Sequence, residues 1–229
     1  FRRSASWAKN QTVHFVAEFS KEFGVGTGRP SSLCDDKNDG YFLGFETREG
    51  EQVLVKVAIS YVSIEGARKN LEAELPGWDF DKVRADAKTA WNKELSKFDV
   101  AGGTDEQTTN FYSALYHTMI HPNVFNDVDG QYKGHDRKIH QWRSADTPVR
   151  ESSVAAKQGS ADTRGRRRPR SEQYTVFSLW DTYRAKLPLM TITHPERMDD
   201  VTNTMINICE EQGFLPIWHL WGWDNGCMV

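Results

Sequence analysis

The hydrophobic period of the chain changes once, near residue 61, and no other feature constrains the fold as strongly. Before that point, the segments 12–20 and 51–60 alternate apolar and polar residues, as β-strands do. After it, apolar residues recur at helical spacing, as in the stripe Phe80, Val83, Ala87, Ala90, Trp91, Leu95 and Phe98. Strands that follow one another without intervening helices favour an antiparallel sandwich over a parallel sheet. We therefore predict a mixed all-β plus all-α chain, with two domains that meet near residues 60–75.

Five helices are predicted after the change of period, over residues 63–75, 79–98, 105–120, 178–187 and 195–213. Asp79 precedes the second helix as an N-cap. The fourth helix is expected to end near Pro188. The fifth has Pro195 in its first turn and Gly213 just past its end, the usual asymmetry of helix termini. Beyond residue 61 the chain is thus predicted to be helical, without further strands.

Composition excludes several classes of protein. The net charge of −3 and the pI near 6.2 indicate no general attraction to nucleic acid or acidic membranes. No run of 18 apolar residues is present, so no membrane span is predicted. The three cysteines have neither a disulfide framework nor zinc-ligand spacing. The chain begins at Phe1 without a signal peptide and ends within an apolar run, from which we expect a fragment of a longer protein.

Residues 144–173 fit neither half of the chain. They contain almost no large apolar side chains, and five arginines lie within 164–170. One interpretation is a nucleic-acid-binding or targeting patch. The other is a disordered surface insertion, or sequence absent from the mature protein. Because the rest of the chain is acidic, we predict an insertion and no nucleic-acid partner.

The stretch 111–134 combines a helix with an acidic turn and allows a metal-site interpretation. His121, Asp127 and Asp129 would then be the ligands. The spacing matches no EF-hand loop, which requires acceptors at fixed alternate positions and a closing Glu. The simpler interpretation is a capped helix end followed by turn-forming residues.

The stretch 174–192 places Trp180, Asp181 and Arg184 within two helical turns. Asp181 and Arg184 are three residues apart, which permits a local ion pair. Alternatively, Trp180 and Asp181 point into a cleft. There the carboxylate accepts hydrogen bonds from sugar hydroxyls, and the ring covers the apolar face of a pyranose.

The last stretch, 213–229, carries Trp218, Trp221, Trp223 and Asp224 after a helix end. We predict irregular chain here, and loop-borne aromatic residues favour a site at the mouth of a helical array. Buried tryptophans that only fill a core are the alternative interpretation. Asn10-Gln11-Thr12, far from this stretch, is an N-glycosylation sequence.

Five segments together resemble a known family, the calcium-dependent exo-acting α-mannosidases of glycoside hydrolase family 92. The similar segments are "FVAEFSKEF" (15–23), the run from "VKVAISYV" to "WNKEL" (55–95), "FYSALYHTMIHPNVFNDVDGQYKG" (111–134), "YTVFSLWDTYRAKLPLMTITHPER" (174–197) and "GFLPIWHLWGWDNGCMV" (213–229). The resemblance implies an N-terminal β-sandwich, linker helices and an (α/α) six-hairpin toroid. On that division, residues 1–61 end the sandwich, 62–104 link it, and 105–229 begin the catalytic toroid.

The resemblance also implies an activity. It is the hydrolysis of terminal α-linked, most simply α-1,2-linked, mannose from N-glycans or mannan, by an inverting mechanism that depends on Ca²⁺. The implied partners are mannose-containing glycans or glycoproteins, and the implied location is secreted or periplasmic. The family's general acid, general base and most calcium ligands belong to motifs expected beyond residue 229, so the fragment itself is expected to be inactive.

Trp180 and Asp181 match family residues that line the pocket for the terminal mannose. Trp218, Arg184 and Asp224 complete the predicted substrate-binding set. This sequence departs from its relatives at Asp224, where they usually have Glu, and at Trp223, where they have a small amide. An alternative hypothesis is a non-catalytic glycan-binding pseudoenzyme or a truncated relic. It differs from the enzyme in whether the coding frame continues into the downstream carboxylate motifs.

Overall fold

The computed structural model describes residues 2–3, 10–27, 41–142 and 172–224, which form helices and small antiparallel sheets. The helices are α1 (Ile64–Glu74), α2 (Phe80–Leu95), α3 (Asp105–Thr118), α4 (Leu179–Thr182), α5 (Lys186–Thr193) and α6 (Pro195–Gln212). The strands of the first half are β1 (Arg2–Arg3), β2 (Thr12–Phe19), β3 (Gly24–Thr27), β4 (Tyr41–Gly44) and β5 (Val55–Ser60). Those of the second half are β6 (Asn123–Val124), β7 (Gln131–Lys133), β8 (Ile139–Gln141), β9 (Tyr174–Thr175), β10 (Phe177–Ser178), β11 (Trp218–Leu220) and β12 (Trp223–Asp224). In these ranges, no helix is long and apolar enough to cross a membrane.

Strands β2 and β5 form the principal antiparallel pair, with His14 opposite Ser60 and Phe19 opposite Val55. One face of this pair packs on α1 through a small core of Val16, Ala67 and Leu71. The alternation predicted from the sequence is therefore confirmed, since successive side chains of a strand point to opposite faces.

The other face of the β2–β5 pair is apolar and about half exposed. Phe15, Val55 and Val57 are each 53% exposed, and Ile59 is 49% exposed. Buried faces of sheets normally carry such residues, whereas solvent faces of antiparallel sheets are polar. This apolar sheet face is therefore core-like in composition but open in the described part of the chain.

Helices α2 and α3 contact each other through aromatic side chains. The rings of Trp91 and Tyr116 lie 4.6 Å apart between centroids, and those of Phe98 and Phe111 lie 6.3 Å apart. Asp79 caps α2 as predicted, because its carboxylate accepts a hydrogen bond from the Lys82 N–H. The N-terminal half of α2 remains exposed.

The second half of the chain is built around α6. Tyr174, Val201 and Ile208 form its buried core, with Leu187 of α5 packed against them. As predicted, Pro195 begins α6, and Gly213 ends it with φ of 91°, a left-handed conformation that suits glycine.

Two predictions for this half are wrong. Within 62–142 and 172–224, seven short strands are present, although only helices were expected. The predicted helix 178–187 is two helices, α4 and α5, and Pro188 lies in the first turn of the second instead of ending the first. Proline fits there because the N–H groups of a helix's first turn have no partner within the helix.

The predicted insertion at 144–173 falls largely outside the described residues and stays a prediction there. Its last residue, Gln173, belongs to the fold: the side chain is buried, and its backbone N–H donates to the Asn126 side chain. Its carbonyl accepts a hydrogen bond from the Phe125 N–H. The predicted insertion therefore includes one residue, Gln173, that packs within the described part of the fold.

Candidate functional site

Trp180 and Asp181 lie on α4, a single helical turn that starts at the end of β10. The hydroxyl of Ser178 caps this turn by accepting a hydrogen bond from the Asp181 N–H at 3.3 Å. Trp180 is 48% exposed, and Asp181 is also exposed. The turn therefore presents an indole ring and a carboxylate side by side at the surface, the combination that the sequence predicted for sugar contact.

Arg184 stacks on aromatic rings and does not pair with Asp181. Its guanidinium carbon lies 5.9 Å from the ring centroid of Trp180 and 5.7 Å from that of Tyr183. The described residues show no ion pair between Asp181 and Arg184, so the ion-pair interpretation is wrong. Because Asp181 forms no ion pair within the described ranges, its carboxylate can accept hydrogen bonds from a ligand there.

The three-stranded sheet β10–β11–β12 holds α4 in place. Ser178 lies opposite Trp218 in the register, and the Leu179 N–H donates to the Ile217 carbonyl at 3.0 Å. The predicted irregular chain at 218–224 is in fact a β-hairpin, whose two turn residues have positive φ: 45° at Trp221 and 77° at Gly222. Such two-residue turns match the twist of paired strands.

The Asp224 carboxylate accepts hydrogen bonds from the backbone at the start of this hairpin. One carboxylate oxygen accepts the Ile217 N–H at 2.7 Å, and the other accepts the Trp218 N–H at 3.3 Å. Ile217 in turn is the residue whose carbonyl anchors the start of α4. The structure thus connects Asp224 to Trp180 and Asp181 through the sheet, while its role as a substrate contact stays a prediction.

A histidine pair, not anticipated from the sequence, joins this sheet to the chain that follows β7: His219 of β11 is buried, and His135 is partly buried. His135 Nε2 is 2.6 Å from His219 Nδ1, and His219 is 1% exposed. The other nitrogen of His219 lies 3.2 Å from the Tyr174 carbonyl, and that of His135 lies 2.7 Å from Gln212 Oε1. Burial lowers the pKa of both imidazoles, and for His219 the shift is large. No sequence signal singles out this pair, because its members are 84 residues apart.

Glu211 of α6 holds the β7–β8 hairpin beside the histidine pair. Its carboxylate accepts hydrogen bonds from the Tyr132 hydroxyl at 2.7 Å and from the His135 backbone N–H at 2.8 Å. Burial and the neighbouring Glu211 charge raise the pKa of the Tyr132 hydroxyl. This carboxylate is therefore committed to the internal structure and is not a group available to a ligand.

Asp127 joins the first half of the chain to the second. Its carboxylate is 3% exposed and accepts hydrogen bonds from the Ser60 hydroxyl at 2.7 Å and the Asn70 amide at 2.8 Å. Burial raises the pKa of this carboxyl group, and the two hydrogen bonds oppose that shift. Asn70 also accepts the Val128 N–H, so α1, β5 and the 127–130 turn share one polar cluster.

The metal interpretation of His121, Asp127 and Asp129 is wrong. His121 is hydrogen-bonded to Asn123, Asp127 is engaged as above, and Asp129 forms an ion pair with Lys69 at 2.8 Å. Across the described ranges, no three His, Cys, Asp or Glu side chains are grouped so that they could hold a metal ion.

A cavity of about 390 Å³ lies among α2, α3, α5 and α6, and none of the predicted substrate-binding residues lines it. The carboxylate among its lining residues, Glu94, is already engaged by Lys97 at 2.7 Å and by His194 at 2.9 Å. A neutral sugar needs oriented acceptors for its hydroxyls, and this cavity offers mainly cations and apolar walls. The α4 surface is the better candidate site.

The chain resembles known proteins in both sequence and fold. Residues 66–229 match the profile described as the catalytic domain of glycosyl hydrolase family 92. Over 104 residues the chain is 37% identical to a protein described as an uncharacterized secreted glycosidase of Arthroderma benhamiae. That alignment spans 43% of this chain and 13% of the relative.

Solved structures give a longer match. The family 92 α-mannosidase BT3965 of Bacteroides thetaiotaomicron superposes with a TM-score of 0.76 at 31% identity, over 98% of this chain and 29% of that one. The inverting mannosidase BT2199 of the same organism gives a TM-score of 0.73 at 29% identity, over 95% and 27% of the two chains. The chain therefore spans less than a third of the length of these relatives.

Proposed function

The chain belongs to glycosyl hydrolase family 92, and from that premise we propose that it is part of an exo-acting α-mannosidase. The proposed substrate is a terminal α-linked mannose, α-1,2-linked in the first instance, on an N-glycan, a glycoprotein or mannan. The observation that carries the proposal is the α4 surface, where an exposed Trp180 ring stands beside an exposed Asp181 carboxylate that pairs with no cation among the described residues.

We assign Trp180 and Asp181 to the recognition of the terminal sugar. The indole face covers the C–H side of the pyranose, and the carboxylate accepts hydrogen bonds from two neighbouring hydroxyls. The Arg184 guanidinium lies over the indole ring, 5.9 Å from its centroid, and Trp218 and Asp224 support the turn from the adjacent strands. No residue of the described part is assigned as the general acid or the general base.

The proposed reaction inverts the configuration at the anomeric carbon. One carboxylic acid protonates the leaving oxygen, and a carboxylate activates a water molecule on the opposite face of the sugar, with the two groups roughly 6.5–9.5 Å apart. The binding surface on α4 contributes by fixing the sugar ring between them, since orientation alone lowers a reaction barrier substantially.

The side chains that the structure describes do not form a calcium site. In the part of the chain that the structure describes, no cluster of three suitable side chains exists, and the buried carboxylate of Asp127 is occupied by Ser60 and Asn70. We therefore derive no step through the ion. Calcium dependence is proposed for the complete protein alone, where a chelator should abolish mannose release and added Ca²⁺ should restore it.

For the fold, we propose that residues 1–61 end a β-sandwich, that 62–104 link it, and that 105–229 begin an (α/α) toroid. The half-exposed apolar face of β2 and β5 supports the sandwich, because a second sheet packs against such a face. The secreted relative supports an extracellular or periplasmic location.

The test is mannose release from an α-1,2-mannobioside by the complete protein. We expect Asp181→Ala to lower kcat/KM roughly 10- to 100-fold, the range for lost hydrogen bonds to a charged group. Asp199→Ala, which removes an exposed carboxylate on α6, is the matched control and should change nothing. Unchanged kcat/KM in Asp181→Ala would refute the sugar contact. Binding of mannose without hydrolysis would favour the alternative of a non-catalytic glycan-binding protein.

A further inference from the structure

The chain contains one Asn-Xaa-Thr/Ser sequence, Asn10-Gln11-Thr12, and the structure places it at the surface. Asn10 lies in a turn immediately before β2, and all three residues are partly exposed. Its φ of 60° is left-handed, a conformation in which asparagine is enriched among non-glycine residues. Surface turns of this kind are where N-linked oligosaccharides occur in secreted proteins.

The surroundings of Asn10 suit an attached sugar. Asn10 lies at a crevice of only about 10 Å³ lined also by Tyr61, Trp221 and Trp223, so an attached sugar would stay outside it, and none of the lining residues is acidic. The guanidinium of Arg137 lies 5.8 Å from the ring centroid of Trp223. A first sugar bonded to Asn10 therefore leaves the turn next to aromatic rings, whose flat apolar faces suit the C–H side of a pyranose.

A second asparagine shows what an unsuitable position looks like. Asn207-Ile208-Cys209 has a related pattern, with cysteine in the third place, but it lies within α6. Ile208 is fully buried, and the Asn207 amide donates a hydrogen bond to the Gln173 side chain. A sugar on Asn207 would have to break this hydrogen bond to the buried Gln173 side chain. A surface turn is therefore the better position for an oligosaccharide than the interior of α6.

We propose that Asn10 carries an N-linked oligosaccharide, a proposal that rests on the secretory location proposed above. The donor is an oligosaccharide linked through a diphosphate to a lipid. The Asn10 Nδ2 loses a proton and forms a bond to C1 of the first sugar, while the bond from C1 to the diphosphate oxygen breaks and the lipid diphosphate leaves. Thr12 supplies the hydroxyl that makes the sequence an acceptor.

The experiment uses the complete protein, isolated from its native source and also secreted from a eukaryotic host behind that host's own leader. Both samples are treated with a peptide-N-glycosidase in heavy-oxygen water, which converts a glycosylated asparagine to an aspartate carrying one heavy oxygen. Peptide mass spectrometry then locates the label. We expect it at residue 10 and not at residue 207.

Three variants sharpen the result. Asn10→Gln and Thr12→Ala should each remove the electrophoretic shift that the glycosidase causes at this site, and Thr12→Ser should retain it, since the hydroxyl is preserved. An unlabelled Asn10 peptide from the native source overturns the proposal, whatever the host-secreted sample shows. Mannoside hydrolysis is measured on the same samples: a labelled Asn10 without hydrolysis contradicts the proposed function and leaves the glycan assignment intact.

Discussion

Gly66 shows how tightly single residues are specified around the Asp127 carboxylate. A Cβ atom at Gly66 would lie 2.1 Å from Asp127 Oδ2 and 2.7 Å from the Ser60 hydroxyl oxygen. Real atoms do not approach so closely, so the absence of a side chain on α1 is what lets the buried carboxylate reach its two donors. The requirement is steric, since no positive φ is involved at this glycine.

We therefore expect Gly66→Ala to lower the free energy of unfolding by an amount near the upper end of roughly 1–3 kcal/mol, the usual cost of overpacking. Urea denaturation measures this quantity directly. Gly77→Ala is the matched control, because a Cβ there meets no atom within 4 Å. Equal stability of the two variants would show that the Asp127 cluster tolerates displacement.

The histidine pair makes a prediction about pH. Burial lowers the pKa of His135 and His219 in the folded chain below the unfolded value of about 6.5. Below that pH the unfolded chain binds more protons than the folded one, so stability rises with pH. Above about pH 6.5, these two histidines should not lower the free energy of unfolding. Below it, the loss should be at most about 1.4 kcal/mol per pH unit for each histidine.

Replacing His219 tests this assignment. His219→Gln should flatten the decline in the free energy of unfolding between pH 7.5 and 5, whereas His117→Gln, at an exposed position, should leave it unchanged. Denaturation in urea at several pH values gives both slopes. A slope in His219→Gln equal to that of the unchanged protein would contradict the proposed origin of the pH dependence.

At the residue scale, local rules were predictable and long-range contacts were not. Asp79 was identified as a cap because a cap depends on residues three positions away. The partners of Asp127 are 57 and 67 residues distant, and those of His219 are equally remote. The sequence therefore allows a metal site or a simple turn at 127–130. In the structure, the Asp127 carboxylate of this turn is buried and accepts hydrogen bonds from Ser60 and Asn70.

At the scale of elements, long periodic helices were predicted well and short strands were missed. Helix α6 has 18 residues and clear end signals, so its bounds followed from the sequence. Strands β10 and β12 have two residues each, too few to show any alternation. Their existence depends on pairing with β11, and the hairpin 218–224 therefore could not be derived from local pattern.

Asp224 gives the element-scale prediction. Asp224→Ala removes the acceptor of the Ile217 and Trp218 N–H groups and should lower the free energy of unfolding by roughly 1–3 kcal/mol, the cost of unsatisfied buried donors. Hydrogen exchange should show faster exchange of these two amides, with Asp199→Ala as the control. If the Ile217 amide stayed protected from hydrogen exchange in Asp224→Ala, the Asp224 carboxylate would not be what stabilises the hairpin. A direct contact between Asp224 and the sugar would then be favoured.

At the scale of the whole molecule, the change from strand to helix near residue 61 was predicted correctly, whereas the later strands and the open face of the first sheet were not. Periodicity placed Phe15 and Val57 on one face but could not say what covers them. In the proposed β-sandwich, a second sheet would cover such residues.

Val57→Lys tests the sandwich at this scale. In the 229-residue chain we expect little loss of stability and better solubility, because the side chain is 53% exposed. In the complete protein the same change would bury a charge and should lower the melting temperature by several degrees or prevent folding. Glu46→Lys, at an exposed position, is the control in both settings. Equal effects in the two settings would argue against a covering sheet.

The cluster around Asp127 also bears on recombination among relatives. Ser60, Gly66 and Asn70 lie before α2, and Asp127 follows α3, so any exchange of N-terminal segments with a crossover between residues 71 and 126 would separate donors from acceptor. A chimera made there keeps the cluster only where the second parent supplies the matching serine, glycine, asparagine or aspartate. Crossovers before residue 60 or after residue 127 transfer the four residues together, so residues 60–127 are the smallest block that can be exchanged as a unit.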